Sequence, residues 1–293
     1  MNLPAPPPIL LTRPAVQTRP VVLTSAHSGR YYPPHFIAAS RLDALRLRRS
    51  EDGFVDELFA AAPALGMPLL AATVPRAWCD ANREAWELDP AMFLEALPDW
   101  VNSASPRVAA GLGTIARVVA SGEPIYRTRL PFAEAQARVA ACWEPFHAAL
   151  AAAIEETRAR FGACLLLDCH SMPTPPAGSS DIVLGDAHGR ACAPALVRLV
   201  EQALGEAGFT VRRNDPYAGG YITQHYGRPR EGVHALQIEI SRGLYMDEAR
   251  IERLGGFAAI TRRLTGVLAR LDGVAPLLSA SAAPSRAPDR AAE

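Results

Sequence analysis

The stretch Cys164 to Pro173, CLLLDCHSMP, decides how the chain folds. An apolar run followed by a carboxylate, an imidazole and a proline reads as a buried central strand that presents Asp168 and His170 at its tip. Side chains two apart on a strand share a face, so Asp168 can lie beside His170 at the carboxyl edge of a sheet, where open α/β sheets place their ligands. A histidine so placed suits metal binding or general-base work, but it equally suits capping the strand by a bond to a backbone carbonyl. The neighbouring segments have to separate the two.

Upstream, Phe132 to Phe161 is alanine-rich with helical periodicity, and Gly162 passes the chain into the central strand. His147 reads there as a helix-face residue. Pro20 to Gly29 repeats the pattern of the central stretch: a β-branched run, then His27, then a glycine turn. Two strands therefore end in histidine. Between Leu42 and Ala62 the apolar spacing predicts helical segments interrupted by Gly53. Glu51, Asp52 and Asp56 surround the start of the second, where acids favour the positive end of a helix. One of them could instead complete a metal site, and Asp52 and Asp56, at i,i+4, share a helical face. Both stay open.

Val74 to Glu84 reads as a strand end and loop in which Asn82 and Arg83 offer donors to a carboxylate or a developing oxyanion, unless Arg83 merely pairs with Glu84 or Asp80. Residues 85 to 130 read as loops over a cleft rather than core, with Arg127 and Arg129 facing an acidic substrate. Beyond His170, Asp181 to Gly185 predicts a strand and His188 a turn residue rather than a third imidazole ligand. An amphipathic helix at 192–207 follows, then a strand and a glycine-rich loop through Gly220 and Thr223 whose backbone can approach a ligand closely. The spacing of nucleotide-binding loops is absent. In the last strand, Val233 to Arg242, the polar Gln237, Glu239 and Ser241 alternate with Leu236, Ile238 and Ile240. A polar face on a buried strand should line a site, although an edge strand wetting one face would look the same.

The 293 residues are 49% hydrophobic, enough for a substantial core, and thirty basic residues balance thirty acidic ones. That balance leaves no field to draw nucleic acid or an anionic membrane. Five cysteines without a CxxC pair argue against a disulfide framework or a zinc knuckle. With no leader-like start and no uninterrupted apolar span, a cytoplasmic location is expected. Residues 1–19 are proline-rich and should form a mobile or wrapping arm without a regular element, 20–278 the catalytic domain, and 279–293 a disordered tail.

Two strand-end histidines, a nearby carboxylate, an Asn-Arg pair and a strand glutamate are the parts of a hydrolytic zinc site. The motifs AHSG at 26–29, EDGFVDELF at 51–59, DANRE at 80–84, LLLDCHSMP at 165–173, DIVLGDAHG at 181–189, GGYITQHYGRP at 219–229 and HALQIEISRGLYMDE at 234–248 follow one another in the chain. This ordered series, over about residues 20 to 270, resembles the N-formylglutamate amidohydrolases. The resemblance implies a single α/β domain with a mixed central sheet flanked by helices, a zinc-carboxypeptidase-like and aspartoacylase-like three-layer architecture (phosphorylase/hydrolase-like). It implies one Zn2+ per chain held by His27, His170 and an acid from 51–56, Asp52 before Asp56. It also implies Glu239 as general base, with Asn82 and Arg83 as the Asn-Arg pair of the carboxypeptidase relatives. The reaction implied is hydrolysis of N-formyl-L-glutamate to formate and L-glutamate, a step of histidine degradation. Arg83, Arg127 or Arg129, with donors from Gly220 and Thr223, would contact the acidic substrate. A related amidohydrolase acting on another N-acyl amino acid or small peptide has the same parts, and a non-catalytic metal or metabolite binder would be expected to lack the glutamate.

Overall fold

The computed structural model describes residues 5–176 and 178–282, without the side chains of 279–282. Seven strands form one sheet: β1 (Ile9–Thr12), β2 (Val21–Ser25), β3 (Leu69–Ala72), β4 (Cys164–Met172), β5 (Ile182–Gly185), β6 (Val211–Arg213) and β7 (Val233–Ser241), in the order β1-β3-β2-β4-β7-β5-β6. The strands β3, β2, β4 and β7 run parallel, whereas β1 is antiparallel to β3 and β5 to β7, so the sheet is mixed. A separate two-stranded hairpin, β8 (Met246–Asp247) and β9 (Glu252–Arg253), follows β7.

Strand alternation sorts the side chains into two cores. Leu165, Leu167 and Cys169 of β4, with Leu236, Ile238 and Ile240 of β7, meet the helices Pro194–Glu206 and Phe257–Ala269 on one face. Cys164 and Leu166, with Val233 and Ala235, meet the long helix Glu144–Phe161 on the other. Each fully buried leucine contributes about 1.5–3 kcal/mol, and the result is a three-layer α/β domain. The second set of positions continues along the same face as Asp168 and His170 on β4 and as Gln237, Glu239 and Ser241 on β7. The helix cover thins there, so the polar ends of two central strands line a cavity.

Asp168 and His170 lie inside β4 rather than at a frayed tip, because the ladder to β7 extends to Met172 opposite Ser241. Three further expectations need correction. The proline-rich arm does form a regular element: residues 9–12 contain no proline, so Ile9 to Thr12 can pair as an edge strand with Ala72 to Leu69. The 85–130 segment is not merely loop, since Leu88, Met92, Phe93, Val101, Ile115 and Leu130 bury one another in a satellite core. The final helix, Val274–Ala282, passes the expected boundary at Leu278, and residues 283–293 of the expected disordered tail lie outside the described residues. All five cysteines are buried and free. No described helix is long and apolar enough to cross a membrane.

Candidate active site

His27 stands two residues beyond β2, His170 sits on the adjacent β4, and Asp52 precedes the short helix Val55–Leu58. One ligand atom from each lies within 4.8 Å of the others. Both imidazoles turn Nδ1 toward the same oxygen: Asp52 Oδ2 is 2.9 Å from His170 Nδ1 and 3.3 Å from His27 Nδ1. Their outer nitrogens also face acids, His27 Nε2 lying 2.7 Å from Asp80 Oδ1 and His170 Nε2 2.9 Å from Asp168 Oδ1. Carboxylates behind histidines fix ring orientation and raise ligand basicity, the arrangement usual around metal-bound imidazoles. Burial opposes ionisation of Asp52, but the hydrogen bond with His170 and the closeness of His27 outweigh it and hold the acid well below the usual carboxylate range. Burial likewise disfavours a charged His170, yet Asp168 and Asp52 raise it well above an ordinary histidine.

The donor set fits a dication. His27 Nδ1 is buried without a hydrogen-bond partner, an orphaned lone pair that a metal would satisfy. Two imidazoles and one carboxylate are the ligand types of hydrolytic zinc, leaving a position free for water. Asp56, the other candidate acid, turns away: its Oδ2 pairs with Arg30 Nη2 at 2.6 Å.

Glu239 is the β7 register partner of His170 and lines the same cavity of about 330 Å³. Burial pushes its carboxyl up to about 7, with His170 lowering it and Asp52 and Asp168 raising it. Gln237 Nε2 donates to Glu239 Oε1 at 2.8 Å, so the carboxylate is oriented as well as perturbed.

Asn82 and Arg83 form the opposite wall, and their loop is pinned from behind. A π-turn at Val139–Trp143 leads into the long helix; the last residue of that turn donates through Trp143 Nε1 to Arg83 O, and His147 Nε2, one turn further on, donates to Ala81 O. Asn82 Oδ1 accepts Ile222 N–H at 2.8 Å, which aims Nδ2 at His170 Nε2, 3.1 Å away. Burial lowers Arg83 to about 10, still cationic at neutral pH.

Three expected substrate contacts are not brought to this cavity. Arg127 and Arg129 line a separate surface depression with Arg41 and Arg117, because the chain from Ser40 to Arg41 pairs with Ile125 to Arg127 and turns those side chains outward. Thr223 is fully buried beneath the site, its hydroxyl 3.4 Å from Asp168 Oδ2. Gly220 does line the cavity, but its N–H is already donated to Gln237 Oε1 at 2.8 Å. His188 is an exposed turn residue with φ 55°, away from the cluster. Three residues escaped the sequence reading: Asp80 behind His27, Arg76 bound to Asp80 at 2.7 Å, and Arg242, whose Nη2 donates to Asp52 Oδ1 at 3.0 Å. The spacing Asp80-Ala-Asn82 and the position of Arg242 directly after the polar strand were the available signals.

The sequence profile of the N-formylglutamate amidohydrolase family matches residues 19–246. The N-formylglutamate deformylase of Pseudomonas aeruginosa is 30% identical over 237 residues, covering 78% of this chain and 83% of that protein. That of Pseudomonas putida is 27% identical over 237 residues, covering 78% and 82%. The crystal structure of N-formylglutamate amidohydrolase from Ralstonia eutropha JMP134 superposes with a TM-score of 0.86 at 40% identity, covering 92% of this chain and 99% of that one. Sequence, fold and the ordered motifs agree, and the chain belongs to the N-formylglutamate amidohydrolase family.

Proposed function

We propose that this protein is a zinc-dependent amidohydrolase that converts N-formyl-L-glutamate to formate and L-glutamate. The observation that carries this reading is the convergence, in one cavity, of the His27–Asp52–His170 cluster with the perturbed carboxyl of Glu239 and the guanidinium of Arg83. The reactions named for the Pseudomonas and Ralstonia relatives supply the substrate.

Zinc held by His27, Asp52 and His170 would lower the pKa of a water and polarise the formyl carbonyl. The chain's own residues do the rest. Glu239 takes a proton from the attacking water and returns it to the amide nitrogen as the C–N bond breaks, a task suited to a carboxyl poised near 7. Asn82 and Arg83 hold the carboxylate next to the scissile amide. Arg83 Nε is tied to Leu112 O and Nη1 to Asn82 O, while Nη2, 3.9 Å from Asp80 Oδ2 and so beyond hydrogen-bond reach of it, can donate to the ligand. Asp80 and Asp168 keep the two rings turned inward.

The test is formate release from a panel of N-formyl-L-glutamate, N-formyl-L-aspartate and N-acetyl-L-glutamate. The reading expects selective turnover of the first. Faster turnover of the N-acetyl compound would keep the chemistry and replace the substrate.

A further inference from the structure

A dicarboxylate brings two negative groups into the cavity, and Arg83 answers one of them. Four guanidiniums line the walls: Arg76, Arg83, Arg107 and Arg242. Two are already committed. Arg76 donates twice to Asp80 Oδ2, at 3.1 and 2.7 Å, and Arg242 donates to Asp52 Oδ1 and to Ser171 Oγ. The guanidinium of Arg107 makes no hydrogen bond or ion pair among the described residues.

Its side chain is exposed at the edge of the cavity, but its backbone is fixed. Arg107 stands in the short helix Pro106–Ala109, whose first turn is closed by Ser105 Oγ accepting Val108 N–H. Arg107 O accepts Leu112 N–H at 2.8 Å, and Leu112 O accepts Arg83 Nε at 2.8 Å. One turn therefore holds the backbone of Arg107 and the guanidinium of Arg83 beside each other. Arg107 and Arg76 both act on Arg83 as like charges, and Arg107 also acts on Tyr217 across the cavity, which in turn feels Glu239 and Arg242. On the Arg83–Arg107 side of the cavity Arg107 thus adds a positive charge that no acid among the described residues pairs with, whereas the side of His27, Asp52 and His170 is acidic. A ligand with a carboxylate on each of two carbons matches that polarity.

Resting on the proposed function, we infer that Arg107 is the specificity residue for the second, side-chain carboxylate of the substrate, while Arg83 holds the carboxylate beside the scissile amide. A neutral side chain of the same shape forgoes the charge-assisted pair with Arg107, which is how the site would prefer formyl-glutamate to formyl-glutamine.

The experiment compares N-formyl-L-glutamate with N-formyl-L-glutamine in the wild type, Arg107→Ala and Arg107→Lys, alongside calorimetric binding of L-glutamate and L-glutamine to the zinc-loaded proteins. Arg107→Ala should lower kcat/KM for formyl-glutamate about 10- to 100-fold, mostly through KM, and shrink the preference over formyl-glutamine by the same factor. Arg107→Lys should recover part of it. L-glutamate binding should weaken in Arg107→Ala much more than L-glutamine binding. Equal losses for both formyl substrates, or unchanged L-glutamate binding by Arg107→Ala, would overturn the assignment. A wild type that hydrolyses neither compound but binds L-glutamate through Arg107 would refute the hydrolytic reading and leave this one standing.

Discussion

Replacing Glu239 with glutamine separates what the residue does for catalysis from what it does to the fold. The carboxyl is buried, is raised from 4.5 to about 7, and has Gln237 Nε2 as its hydrogen-bond donor. At about 1.4 kcal/mol per unit, keeping Glu239 ionised inside the protein costs on the order of 3 kcal/mol relative to the unfolded chain. Glutamine is the same shape, still accepts from Gln237, and carries no charge to desolvate. The metal-free Glu239→Gln protein should therefore be more stable than the wild type by up to about 3 kcal/mol above pH 7. Because a raised carboxyl pKa penalises only the ionised form, the gap should shrink as pH falls from 7 and vanish below about 4.5. Formate release by the zinc-loaded variant should at the same time fall about 10²- to 10⁴-fold, the usual contribution of a general base. Urea unfolding of chelated samples at pH 8 and pH 4.5 reads the stability, and a coupled formate assay reads the rate. A variant that is both active and no more stable at pH 8 would refute the argument, since Glu239 would then be neither strained by burial nor used as a base.

Asp52→Ala should abolish retention of zinc on gel filtration, whereas Asp56→Ala should keep it, because Asp56 is held by Arg30 away from the cluster; metal analysis of both variants decides. A Cβ on Gly220 would stand 2.4 Å from Asn82 Nδ2, so Gly220→Ala should cost about 1–3 kcal/mol and lower kcat. Gly205→Ala, in a helix with nothing within 4 Å of the new Cβ, should instead stabilise by about 0.5–1 kcal/mol, and thermal melts of the pair check the contrast. His147 and His234 are buried and held down to about 4 from 6.5, both chiefly by loss of solvation. The unfolded chain takes up their protons first, so stability should drop as pH falls from about 6.5 toward 4, by up to about 3 kcal/mol per ring; His147→Gln and His234→Gln should each flatten that slope in unfolding titrations.

How much of this was legible in the sequence follows from the range of the forces involved. The run Cys164 to Met172 and the alternation of Gln237, Glu239 and Ser241 with leucine and isoleucine are local patterns, and they located both central strands and the face that carries the site. His27 and His170 were readable because each follows an apolar run. The pairing of Asp52 rather than Asp56 with the histidines depends on a loop closing over 118 residues of sequence, and i,i+4 spacing could not resolve it. Residues Phe54 and Val55 show why: Phe54 has a positive φ of 65° and the helix begins only at Val55, so Asp52 and Asp56 never share one helical face. Arg127 and Arg129 were misplaced for the same reason in reverse, since only the tertiary pairing of Ser40 with Tyr126 shows which way that strip faces. The edge strand Ile9–Thr12 was hidden because its prolines belong to the flanks, and its partner lies some sixty residues away.

The most direct measurement of the central claim is zinc titration into the chelated protein while formate release from N-formyl-L-glutamate is followed. The account predicts negligible turnover without metal, a linear rise that breaks at one zinc per chain, and no recovery in His27→Ala, Asp52→Ala or His170→Ala at the same zinc concentrations. Full activity in the chelated protein, or a break unaffected by those three substitutions, would contradict it.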